Sequence, residues 1–434
     1  MNKDYFERLL DNLALDLDAL ADVSPADAAR LRAHLRRPSD GDGRELAAGY
    51  AELCRELTET LNRRYQVADP FTSMAEFWAK ADLQGAGQAP GTYWDTYESG
   101  DRRRLEQVVA TTFASPRALL VNSGMSAMYC VLSALLGPGD TLLTHDRGYF
   151  ETTDLLENVL RPRGVEIVRA DLGLPGTDAH GDPPSVVLAE TVLNAPGCAL
   201  PDLRPTRAPE SVVVVDATFT SWSFDYADIC RAVGSDNVIV VESGAKYVTR
   251  DASIGVVYAP TALDEQVRAF ARRTGQQLQG RALNAVRRAE IATLRNRMAV
   301  HDANLVAFCD VLADSGMTIT TGRSAAAARP GTTFAPLITK AGAGALVFVT
   351  APAGVPAVDF DRVLDDWRLA SGGAVAVRAG FGWDRTTGRS YRSTRLNQPD
   401  APEYLRVSVG LEDDRAVTGL ASSLAAVLRR ELGG

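Results

Sequence analysis

Lys246 stands in the stretch Glu242-Ser243-Gly244-Ala245-Lys246-Tyr247, just after the β-branched run Asn237-Val238-Ile239-Val240-Val241. That run predicts a buried strand. The small residues before the lysine let the turn approach a ligand closely. An amine just past a strand end, partly desolvated, can form a Schiff base with a carbonyl. A second apolar run, Ser211-Val212-Val213-Val214-Val215, ends on the carboxylate of Asp216. A third, Ala118-Leu119-Leu120-Val121-Asn122, leads into Ser123-Gly124-Met125-Ser126-Ala127 and then a helical apolar pattern. Ligands of α/β sheets gather beyond the carboxyl ends of the strands, where all three motifs fall.

A lysine, a carboxylate and a small-residue helix start are the three parts of a pyridoxal 5'-phosphate (PLP) site. The amine joins the aldehyde, Asp216 keeps the pyridine nitrogen protonated, and the N–H groups of Gly124 and Met125 hold the phosphate. Lys246 alone reads as an exposed loop lysine. The other motifs argue against that reading.

With Leu405-Arg406-Val407-Ser408-Val409-Gly410-Leu411-Glu412-Asp413 added, these motifs resemble the Cys/Met-metabolism branch of PLP-dependent enzymes, the cystathionine γ-synthase and γ-lyase group, from about residue 97 onward. The resemblance implies the fold-type I α/β fold. It assigns the Schiff base and later proton transfers to Lys246, and ring stacking with a share of proton transfer to Tyr149. Ser123, Thr218 and Ser243 join Gly124, Met125 and Asp216 around the cofactor. Asn194, within Glu190-Thr191-Val192-Leu193-Asn194-Ala195-Pro196, falls beside the cofactor or the substrate carboxylate, and Arg406 clamps that carboxylate. Tyr97 is placed with the substrate-binding residues. The family pairs such a tyrosine with an arginine that touches the phosphate of the neighbouring subunit. Here Glu98-Ser99 follows instead, leaving Arg102, Arg103 and Arg104 as candidate substitutes or as a solvated helix face. Ala245 replaces a frequent threonine. Ala195 intrudes before Pro196. Arg378-Ala379-Gly380-Phe381-Gly382-Trp383-Asp384-Arg385 replaces a smaller family loop, so Phe381, Trp383 and Arg385 are expected to line a changed pocket or a remodelled surface.

The implied reaction is γ-replacement or γ-elimination on an amino acid with a Cγ leaving group, of the O-acylhomoserine, cystathionine or S-adenosylmethionine type, through a vinylglycine-type quinonoid. Specialised C–C or C–S bond formation is compatible with the divergent loop. β-Elimination, transamination and retro-aldol cleavage on the same fold stay open, as does a non-catalytic binding protein. The family implies a homodimer or homotetramer with active sites between subunits.

The elements that must position these residues follow from the pattern. Strands are expected near 118–122, 141–144, 165–169, 185–189, 211–215, 237–241 and 252–258, with helices between several of them. That alternation predicts a mainly parallel, doubly wound sheet. A long helical region is expected from 261 to 314, a loop at 323–331, and a small α+β lobe with strands near 345–350, 374–378 and 404–409. The expected division is an N-terminal helical segment, 1–75, a large cofactor-binding domain, 76–290, and a C-terminal domain, 291–434. The helical segment is either an added layer or a surface for a partner subunit.

Composition is that of a globular chain: 46% hydrophobic, 23% charged, net charge −9 over 434 residues. No basic stripe with interleaved aromatics points to nucleic acid. No leader or spanning segment is read, and no membrane association is expected. The five cysteines form no CxxC pair and read as reduced thiols, which with the missing leader suggests a cytoplasmic protein. Four isolated histidines predict no metal.

Overall fold

A computed structural model describes residues 1–22, 24–35, 42–63, 100–170, 183–203, 210–248, 253–355, 357–391 and 403–433. Tyr97, with the segment around it, lies outside the described residues. The chain is mixed α/β. Its strands are β1 (Arg117–Val121), β2 (Thr141–His145), β3 (Glu166–Ala170), β4 (Val186–Glu190), β5 (Val212–Asp216), β6 (Val238–Ser243), β7 (Gly255–Ala259), β8 (Thr318–Thr321), β9 (Leu346–Thr350), β10 (Ala376–Val377), β11 (Thr387–Tyr391) and β12 (Tyr404–Ser408). The contacts divide the chain into two compact units. One holds Met1–Asn2, Leu136–Val238 and Arg295–Gly434, and the other holds Lys3–Leu135 and Ile239–Leu294.

In the first unit, β4 pairs in parallel with β5 and with β2, and β2 with β3. The β4 and β5 side chains are almost wholly buried until the terminal carboxylates. The alignment sets Glu190 directly beside Asp216. Sequence alternation then builds a second, five-stranded sheet in the order β10-β11-β12-β9-β8. Leu405 and Val407 of β12 enter a core with Val347, Val349, Phe308 and Trp367. Successive strand residues face opposite sides, so Arg406 points the other way, opposite Phe348 of β9.

Two expectations change here. The stretch expected as a loop at 323–331 begins as a helix, Gly322–Ala328. Thr321 caps it: its hydroxyl accepts from Ser324 N–H at 3.1 Å, and Ser324 Oγ accepts from Thr321 N–H at 2.9 Å. Four alanines then favour helix, and Pro330-Gly331 follows its end. β8 and β11 are additional strands. Their threonines, serine and lone arginine carry too little apolar alternation to predict them.

In the second unit, β7 runs antiparallel to both β1 and β6. Only residues 244–254 join β6 to β7, too short a link for the crossover helix that a parallel pair needs. The helix Gly124–Leu135 packs on β7 and on the helix Thr261–Arg273. The expected long helix of 261–314 is broken after Arg273, where Gly275 takes a left-handed φ of +68°. It resumes as Gly280–Leu283 and Arg288–Leu312.

The N-terminal segment forms helices Lys3–Asn12, Ala14–Ala21, Pro25–His34 and Gly43–Arg63. It docks on this break within its own unit. Buried Asp16 accepts from the N–H groups of Arg288 and Ala289 at 2.9 and 3.0 Å, capping the long helix. Arg287 donates to Cys54 O at 2.9 Å, and Asn284 to Asn62 at 2.9 Å. Asp16→Ala removes the acceptor for two backbone donors. It is expected to lower stability by about 1–2 kcal/mol, read as a shift of the urea midpoint without a change of slope.

Candidate active site

In the second unit, Ser123 precedes the helix Gly124–Leu135. Its hydroxyl accepts from Ser126 N–H at 2.9 Å, and its carbonyl from Ala127 N–H at 2.9 Å. Helical geometry leaves the first N–H groups, those of Gly124 and Met125, without intrahelical acceptors. A side chain on Gly124 would put its Cβ 2.7 Å from Ser243 Cβ and 3.1 Å from Ser243 Oγ. Glycine there lets the end of β6 reach the helix start and sets the Ser243 hydroxyl beside it. A Cβ at Gly255 would lie 2.0 Å from Ser123 O, so β7 closes the same turn from its other side. Beyond Ser243, Gly244 N–H donates to Ile254 O at 2.9 Å and Lys246 N–H to Ser243 O at 3.2 Å. This turn holds the half-buried Lys246 three residues past the strand end.

These groups suit a phosphate: two outward N–H donors, a hydroxyl and a helix N-terminus. Gly124→Ala forces Ser243 and the helix start apart. It is expected to weaken PLP binding about tenfold or more, measured by cofactor titration with dialysis, with the secondary structure retained.

The first unit brings together Tyr149, Glu190, Asn194, Asp216 and Arg406. Glu190 accepts the Tyr149 N–H on one carboxylate oxygen and the Asn194 N–H on the other, the latter at 3.3 Å. Asn194 Oδ1 accepts from Arg406 Nη1 at 3.3 Å, and the other arm of the guanidinium donates to Ala379 O. The same guanidinium lies 5.0 Å from the Tyr391 ring centre and 5.7 Å from that of Phe381. Asp216 Oδ1 accepts from Thr218 N–H at 2.9 Å, which turns the chain just past β5.

Electrostatics follow from this crowding. Burial, the neighbouring Glu151 and Asp216 hold the Tyr149 proton well beyond the ordinary phenol range, against a smaller opposing pull from Arg406. The phenol is therefore neutral at physiological pH, and it donates to Glu151 at 3.1 Å. Burial first and Asp216 second push Glu190 up from 4.5 to about 8, against the two N–H groups it accepts. The folded chain thus holds this proton more tightly than the unfolded chain does. Its stabilising share is fully present below pH 4.5 and is lost as pH rises through about 8. Glu190→Gln is expected to flatten the fall in thermal midpoint across that window, measured by calorimetry at intervals of pH.

The divergent segment is pinned down. Arg297 donates to Asp384 and to Gly382 O, both at 2.7 Å, and Gly382 N–H donates to Ser408 at 3.0 Å. Of the three residues expected to line a changed pocket, Phe381 lies under Arg406. Trp383 sits under Arg378, whose guanidinium is 4.0 Å from the ring centre. Arg385 turns instead to the carbonyls of Gly373 and Ala374. Glu190 and Tyr391 are the site residues that sequence reasoning passed over. A second carboxylate at a strand end, one strand from Asp216, was the available signal for Glu190. Tyr391 sits in a strand that the pattern did not reveal.

Comparison with known proteins defines the class. Solved structures of the cystathionine γ-synthase and γ-lyase type share the fold. The γ-synthase from Xanthomonas oryzae pv. oryzae superposes with a TM-score of 0.64 at 19% identity, over 87% of this chain and 99% of that one. A cystathionine γ-lyase from Micromonospora echinospora gives 0.65 at 22% identity, over 85% and 99%. Among curated relatives, cystathionine β-lyase from Neurospora crassa is 32% identical over 43% of this chain and 42% of its own length. L-Methionine γ-lyase from Pseudomonas putida is 28% identical over 52% and 58%. The chain thus spans less than two thirds of either of these two. O-Succinylhomoserine sulfhydrylase from Pseudomonas aeruginosa is 26% identical over 80% and 87%. The model of the Cys/Met metabolism PLP-dependent enzymes matches residues 57–419, and the chain belongs to that family. Its cofactor is pyridoxal 5'-phosphate. Among the described residues, no helix is long and apolar enough to cross a membrane.

Proposed function

We propose that this protein catalyses γ-elimination or γ-replacement on an amino acid with a leaving group at Cγ. The observation that carries the reading is the Arg406 guanidinium, held by Asn194 and Ala379, with Asn194 N–H and Tyr149 N–H both donating to Glu190. A fork so placed suits an α-carboxylate, and orienting that group fixes which Cα bond is labile. When bound, PLP stores the electron pair released at Cα. Lys246 would hold the cofactor through its amine and would carry protons from Cα and then Cβ, as loss of a Cγ group requires. Asp216 supplies the negative charge that keeps the ring nitrogen protonated. Gly124, Met125, Ser123, Ser243 and Thr218 bind and orient the cofactor. The neutral Tyr149 phenol serves as a stacking face and hydrogen-bond donor, not as a standing base. The resemblance in sequence also supports a homodimer or homotetramer, with Tyr97 near the substrate.

The test follows isotope exchange. The holoprotein is incubated in heavy water with O-acetylhomoserine, cystathionine or methionine. Deuterium at both Cα and Cβ of the recovered amino acid, with release of the Cγ group, is the expected result, and the substrate that loses the group names the donor. Exchange at Cα alone, with pyruvate released from cystathionine, transfers the reading to β-elimination, the activity named for the Neurospora relative.

A further inference from the structure

We infer that Glu190 is a positioning residue that makes the Tyr149 arm and the Arg406 clamp one mechanical unit. The inference rests on the proposal that Tyr149 and Arg406 face the cofactor and the substrate carboxylate. The geometry is a continuous line within one unit of the chain. Tyr149 N–H donates to Glu190, Glu190 receives Asn194 N–H at 3.3 Å on its other oxygen, and Asn194 Oδ1 receives Arg406 at 3.3 Å. Arg406 continues the line to Ala379 O in the divergent segment.

Each link has a local cause. Gly148 brings the backbone against Glu190: a Cβ there would stand 3.4 Å from Oε1. Glu190 is the last residue of β4, a rigid strand buried between β2 and β5. The turn after it is compact, with Leu193 N–H donating to Ala199 O at 3.0 Å and Cys198 N–H to Ala195 O at 3.0 Å. A carboxyl group keeps acceptor lone pairs on both oxygens even while it carries the proton that burial and Asp216 hold up to about 8, so Glu190 can hold two separate loop segments. A neutral amide can accept at only one of its two ends. Asp216, level with Glu190 on β5, is the charged neighbour on the adjoining strand. Tyr149 lies on the segment after β2, with its phenol directed to Glu151. Seating a carboxylate on Arg406 therefore pulls on Asn194, and through Glu190 on the Tyr149 backbone.

The experiment compares wild type with Glu190→Ala and Glu190→Gln. Hydrogen exchange on the cofactor-free protein reads segments 146–153 and 191–198, and steady-state kinetics on the holoprotein read kcat and KM separately. Glu190→Ala is expected to speed exchange in both segments together. It should also raise KM and lower kcat, each by about tenfold, because a small misplacement of positioned groups is costly. Glu190→Gln is expected to restore protection to one segment and part of the activity. Should the alanine variant not fold, the glutamine variant carries the test, with one segment loosened and the other protected. Unchanged exchange in both segments, or a change in KM and kcat with neither segment loosened, overturns the inference. A wild type that binds no PLP would defeat the proposed function, and the exchange measurement on the cofactor-free protein would still decide the role of Glu190.

Discussion

Replacing Lys246 by alanine is expected to abolish turnover, by about a thousandfold or more, while leaving the fold intact. The amine is proposed to make the covalent link to the cofactor and to move protons at two substrate carbons, so one change removes nucleophile and base together. Lys246 is only half-buried, and the backbone turn carrying it is held by Gly244 N–H to Ile254 O at 2.9 Å, a bond that alanine leaves in place. Thermal unfolding should therefore change little. The check is the visible absorbance of the protein-linked cofactor, read beside turnover. Wild type should show a band that is displaced in Lys246→Ala, and added substrate should bind without product. A variant that keeps measurable turnover and the wild-type band would move the linkage to another amine.

The second large effect is expected at Arg406. Arg406→Ala should cut kcat/KM by about a hundredfold or more, mostly through KM. A charge-assisted, two-pronged contact to a carboxylate is worth about 3 kcal/mol, and each 1.4 kcal/mol is about tenfold. The residue is 6% exposed, and loss of its side chain also leaves Asn194 Oδ1 and Ala379 O without this donor. Arg406→Lys restores charge but not the fork, and should recover only part of the activity. The decisive comparison pairs the amino acid with its decarboxylated amine. Wild type should prefer the acid strongly, and the alanine variant should not. Equal preference loss in Arg406→Lys and Arg406→Ala would show that geometry matters more than charge.

The candidate site residues were legible because each sits at a junction that local sequence marks. Lys246 and Asp216 follow β-branched runs, and Gly124 and Met125 open a helix behind a strand. Burying such a run on both sides favours a strand, and Asp216, the first polar residue after its run, closes β5, while Lys246 follows three residues past the end of β6. The strong helices and central strands were legible for the same reason. The helix at Gly322–Ala328 was hidden by Pro330-Gly331, and its start is set by a reciprocal hydrogen bond that only neighbouring backbone geometry reveals. β11 was hidden because Thr387-Gly388-Arg389-Ser390-Tyr391 offers no aliphatic residue to mark its buried side, although three of the five are buried.

What the sequence by itself determined is the cofactor chemistry, since side-chain type and local strand–turn–helix order suffice for it. What only the tertiary structure decided is which groups share protons and hydrogen bonds across long separations. The pairing of β4 with β5 sets Glu190 beside Asp216. The alternation of β12, once Leu405 and Val407 are drawn into the core, turns Arg406 to Asn194, 212 residues away along the chain. The physical reason is that register depends on which apolar faces are buried together, a property of the packed whole.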